Sequence, residues 1–155
     1  MYLLGDQRGA IEQFQEALRI APENTNAHYN LGVLFVVQKR HKEAITHLEF
    51  VLKSDPRDTA TAITLARLLA TSPSFDLRNG TRALELAQHA YKATGSLEDG
   101  AVISMALAEL GRCADALEWQ RKLIDTAQRA DQISVTEKLK RDLQLYEQSP
   151  CRPPG

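Results

Sequence analysis

Apolar side chains recur along this chain at the α-helical period, with polar residues on the intervening faces. Ala83, Leu86, Ala87 and Ala90 stand at i, i+3, i+4 and i+7, and Val135, Leu139, Leu143 and Tyr146 repeat at the same helical spacing. Pro, Gly, Ser and Asn cluster between these stripes, most densely over Thr71–Gly80, where they mark turns rather than helix interiors. The pattern predicts an all-α chain with helices that include Gly9–Ala21, Arg82–Ala93 and a last one over 134–148. Gly95 is placed as a left-handed terminator. Ser134 and Glu137 have the spacing of a capping box for the last helix.

The stripes also repeat among themselves. Ala10, Phe14, Ala17 and Pro22 return as Ala44, Leu48, Val51 and Pro56, each 34 residues later, and Leu31, Gly32 and Phe35 return as Leu65, Ala66 and Leu69 at the same step. A fixed period of this length marks a stacked supersecondary unit that cannot bury its apolar face alone. Small residues at Gly32 and Ala44 permit two helix backbones to approach closely.

These residues resemble the tetratricopeptide repeat, a pair of antiparallel helices. Thr25–Asp58 carries the repeat most fully through Leu31, Gly32, Phe35, Ala44, Leu48, Val51 and Pro56, with His28 where the family usually has Trp. The resemblance implies a right-handed superhelical solenoid of helix pairs closed by a C-terminal capping helix. It divides residues 1–148 into a partial repeat at 1–24, a repeat at 25–58, a repeat at 59–96 with an insertion at 71–80, a repeat at 97–130 and the capping helix at 134–148. Residues 149–155, rich in Pro, are expected to be a disordered tail. The segment from Leu65 to Ala87 and the ending from Leu143 to Arg152 are similar to the C-terminal arrays of long bacterial tetratricopeptide proteins, which usually carry Trp where this chain has Arg67.

In that family the first helix of each pair lines a concave groove that receives peptides. Carried over position by position, the groove residues are Asn26, Tyr29, Asn30, Val33, Val36 and Val37 from the second unit, Ile63, Arg67 and Thr71 from the third, and Met105 and Glu109 from the fourth. The three valines are apolar where the packing pattern does not demand it, so burying them under a partner would contribute roughly 25 cal/mol per Å². Repeats that clamp a chaperone's C-terminal carboxylate need Lys, Arg and Asn where this chain has Tyr29, Val33, Thr64, Glu98 and Val102, so that use is not expected.

Composition narrows the picture further. Lys+Arg 19 against Asp+Glu 20 gives a net charge of -1, which supplies no field to draw the chain onto nucleic acid. No apolar run approaches the ~18 residues of a membrane span, so direct membrane insertion is not expected. His28, His41, His47 and His89 do not pair at i, i+4, and no Asp, Glu or Cys cluster completes a metal set, so neither a metal nor a cofactor is expected. Cys113 and Cys151 are read as a small packing residue and a tail thiol, and the cytoplasm is the expected compartment.

The reading is a non-enzymatic scaffold for a protein or peptide partner. Its alternative is a regulatory or substrate-presenting segment of a larger enzyme such as a glycosyltransferase. Self-association through the open face of the first half-repeat is a further expectation, because its partner helix is only a stub at Met1–Leu4.

Overall fold

The computed structural model describes residues 7–148, and among them there are eight α-helices and no strand. They are α1 (Gln7–Ile20), α2 (Thr25–Val37), α3 (His41–Ser54), α4 (Thr59–Thr71), α5 (Gly80–Thr94), α6 (Leu97–Glu109), α7 (Cys113–Arg129) and α8 (Ile133–Gln148). A single 3-10 turn, Phe75–Leu77, lies inside the sequence insertion. The stub at Met1–Leu4 and the tail at 149–155 lie outside the described residues. The chain divides into two compact units, Met1–Thr61 and Ala62–Gly155.

In the first unit α1 packs on α2 and α2 packs on α3. The repeat positions Leu31, Phe35, Ala44, Leu48 and Val51 form its core, and Leu31, Ala44 and Leu48 are wholly buried. Gly32 lies against the Leu48 side chain, so the absence of a Cβ sets how closely α2 and α3 approach. Asn24 caps α2 by accepting from the Ala27 amide.

In the second unit α6 packs between α5 and α7, and α7 packs on α8. Every residue from Gly100 to Ala108 is buried, so α6 is its central rod. Leu97, Ala101, Leu123, Ile124, Ala127 and Leu139 form one apolar cluster, with Tyr91, Trp119, Val135 and Leu143 against it. A buried polar chain crosses this core. The Ser104 hydroxyl donates to Gln120 Oε1 at 2.8 Å, and Gln120 Nε2 donates to the Leu139 carbonyl at 3.0 Å.

The insertion is ordered around Arg78. Its guanidinium donates to the Ser72 carbonyl, pairs with Glu109 at 3.1 Å and covers the Phe75 ring at 4.4 Å. Asn79 then accepts from the Arg82 amide, which starts α5 at Gly80, earlier than Arg82 where the apolar stripe begins.

Gly95 has φ +65 and ends α5 in the left-handed conformation expected of it. Two features differ from the sequence reading. Helix α8 starts at Ile133, because Asp131 at φ 53 makes the turn and the Thr136 amide already bonds the Gln132 carbonyl. Ser134 is therefore inside the helix and its capping box does not form. Cys113 is disulfide-bonded rather than a free packing residue. The chain's other cysteine, Cys151, is outside the described residues. Disulfide pairing depends on proximity in the fold, which the spacing of two cysteines does not express.

One turn geometry occurs three times, at Lys39, Gly111 and Asp131, with φ of 60, 72 and 53. In each, the next residue's amide reaches back to the preceding helix, through Arg40 to the Phe35 carbonyl, Arg112 to Leu107 and Gln132 to Ala127. Only Gly111 avoids the Cβ penalty of this conformation. Lys39→Gly and Asp131→Gly should each raise stability by up to about 1 kcal/mol, read as a higher urea midpoint, whereas Gly111→Ala should lower it by a similar amount.

Candidate interaction surface

The structure divides the expected groove residues by exposure. On α2, Leu31, Gly32, Leu34 and Phe35 are consumed by the core, leaving a flank of different character. Val37 is 56% exposed, Asn26 is exposed, and Tyr29, Asn30, Val33 and Val36 are half-buried. Asn30 Nδ2 donates to the Asn26 carbonyl at 2.7 Å, one helical turn back, so its amide oxygen faces outward from that bond. Apart from His28 and Tyr29, α2 carries no ionisable side chain, so this flank is an uncharged strip of valine, amide and phenol.

In the second unit, Ile63, Arg67, Thr71 and Glu109 are half-buried. Thr71 bonds the Arg67 carbonyl, and Glu109 is held by Arg78, so both are engaged within the unit. Met105 is only 6% exposed and presents no surface. Its burial follows from the position of α6 between neighbours, which a single-helix pattern does not reveal. Arg67 acts electrostatically on α8. Burial raises the Asp142 carboxyl above the usual range, opposed by Lys138, Arg141 and Arg67. Burial, aided by Asp142, pushes the Tyr146 phenol far up, so it stays neutral.

A cleft of about 300 Å³ opens between α5 and α7, a feature the sequence reading missed. Ile103 and Leu107 line it together with Tyr91 and Trp119, whose rings meet edge-on at 5.6 Å. Trp119 Nε1 donates to the Gly100 carbonyl, which fixes the indole. At the rim Arg112 pairs with Asp115 and Lys122 with Glu118, so opposite charges there are already matched. The only sequence signal was two aromatic residues on second helices amid charged neighbours.

Among the described residues no group of three or more His, Cys, Asp or Glu is arranged to hold a metal ion. No described helix is long and apolar enough to cross a membrane.

Sequence relationships agree with the helix pairing. A family profile described as TPR repeat matches residues 1–39. Residues 1–39 therefore carry the tetratricopeptide repeat. The helices pack in chain order from α1 to α3 in one unit and from α5 to α8 in the other, with the small and large repeat positions buried, as in a tetratricopeptide helical solenoid. The chain is similar to the BBSome complex member BBS4 of Bos taurus, at 31% identity over 75 residues, which are 48% of this chain and 14% of that protein. It is also similar to the Protein CTR9 homolog of Arabidopsis thaliana, at 29% identity over 69 residues, 44% of this chain and 6% of that protein. This repeat protein therefore corresponds to a small part of either relative's length.

Proposed function

We propose that this tetratricopeptide-repeat protein is a non-catalytic scaffold that docks a protein or peptide partner through the concave face of its repeat helices, at the flank of α2. The observation that carries the reading is the apolar strip of exposed Val37 with half-buried Val33 and Val36, none of which is among the buried core residues of α2. Asn26 and Asn30 lie on the same flank and suit hydrogen bonding to a peptide main chain, whose groups need partners once water is excluded. An uncharged strip favours an apolar or aromatic anchor in the partner over an acidic one. The tetratricopeptide fold supports an interaction role, and the similarity to a protein named as a member of a complex points the same way. Ile63 and Arg67 are a second candidate surface, confined to the other unit.

The test uses a peptide selected by display against the intact chain. Val36→Asp should weaken its binding at least tenfold, about 1.4 kcal/mol, because a carboxylate would be desolvated against the ligand. The thermal melt should remain close to that of the parent, since Val36 is outside the core. Unchanged affinity would remove the α2 flank from the account.

A further inference from the structure

The position where the family usually has Trp holds His28, and its ring is engaged on three sides. It stacks on Phe50 with centroids 3.8 Å apart, Nε2 is 3.0 Å from the Pro22 carbonyl, and Nδ1 is 2.8 Å from His47 Nδ1. These contacts dictate where the protons are. A carbonyl can only accept, so His28 Nε2 carries hydrogen and donates to Pro22. In neutral His28 the Nδ1 is then bare, and it accepts from His47 Nδ1–H. Neutral His47 in turn has a bare Nε2. The two imidazoles thus join the turn before α2, α2 itself and α3 through one shared hydrogen.

We propose that His28 and His47 form a proton-operated latch that closes the α2–α3 pair at neutral pH and opens it in mild acid. A proton added at His47 Nε2 leaves the Nδ1–H···Nδ1 bond in place. One added at His28 takes the Nδ1 lone pair and removes the acceptor. With both rings charged, two cations stand against each other at 2.8 Å.

The surroundings do little to offset this. On α3, Glu43 favours His47 protonation, but its carboxylate is already paired with Arg40, whose guanidinium lies over the Phe35 ring. On α1, Glu12 pairs with Arg8 and Glu16 with Arg19, all exposed. On α2, Tyr29 is the other ionisable side chain.

Burial, with the charge of His28 second, holds His47 below the ordinary histidine range. The unfolded chain, with ordinary histidines near pH 6.5, therefore binds more protons than the folded chain just below that value. The latch contributes fully above about pH 6.5, and its contribution is lost as the pH falls through that point toward the lowered folded value.

The experiment compares thermal melts of the intact chain at about pH 7.5 and about pH 5.5 with those of His28→Phe, which keeps a ring on Phe50 but cannot titrate. The parent should lose roughly 5 °C more than the variant over this interval. Carboxylates, His41 and His89 are common to both proteins and cancel in the difference. Equal losses would overturn the latch. If His28→Phe does not fold, nitrogen-detected NMR of the parent's imidazoles decides instead. The latch requires His28 to carry hydrogen on Nε2 and His47 on Nδ1 at neutral pH, and any other pair of tautomers would overturn it.

Discussion

Gly32→Val is expected to lower the stability of the Met1–Thr61 unit by about 3 kcal/mol, read as a fall in the urea midpoint by far-UV circular dichroism. A Cβ added at Gly32 would stand 2.8 Å from Leu48 Cδ2 and 2.9 Å from Leu48 Cγ, closer than carbon atoms tolerate. Leu48 cannot swing aside, because it is wholly buried. The Ala44 carbonyl oxygen, 3.6 Å away, limits the alternative of shifting the Cβ toward the α3 backbone. The helices must therefore separate, which loosens the neighbouring contacts of Leu31 and Phe35. Leu48→Ala alone should cost about 2–5 kcal/mol by leaving a cavity. The double variant should be less damaged than the sum by about 1–2 kcal/mol, since the valine methyls enter the space the leucine leaves. Strict additivity would show that the two positions are not in contact.

The second large effect concerns the buried polar chain of the other unit. Gln120→Leu should cost about 2–3 kcal/mol, because Ser104 then has a buried hydroxyl without its acceptor and the tie from α7 to the Leu139 carbonyl is gone. Both Ser104 and Gln120 are wholly buried, so water does not replace the lost partner. The chain's single tryptophan, Trp119, sits next to Gln120 and makes fluorescence a local reporter of unfolding. Adding Ser104→Ala should recover most of the loss, since removing both partners leaves no orphaned donor. A double variant no better than Gln120→Leu alone would mean the hydroxyl is not paired in the folded protein.

Both predictions concern positions whose legibility in the sequence differed. Gly32 and Leu48 were visible as members of a fixed-step pattern, because a helix crossing demands a small residue opposite a large one. Gln120 was invisible. It lies in a run of polar residues, Glu118 and Arg121 among them, that reads as solvent face, and only the meeting of α6, α7 and α8 places it inside. The same holds for Met105, whose exposure was misjudged because a helix packed on several sides has no outer face. Of the α2 flank, Val33, Val36 and Val37 were legible as apolar positions in excess of the repeat's needs. The cleft beside Trp119 was not, since Tyr91 and Trp119 converge from different helices.

Taken alone, the sequence determined the helical state, the step of the repeat and the small-against-large matching within a helix pair. These follow from local rules, namely period, capping and close approach, each expressed over a few residues or one constant interval. Tertiary structure alone decided that His28 meets His47, that Arg78 locks the insertion to Glu109, that α8 starts beyond a left-handed Asp131 without its capping box, and that Cys113 is bridged. Those outcomes depend on which way side chains point and how one element joins the next. Such directions become defined only when separate helices have packed.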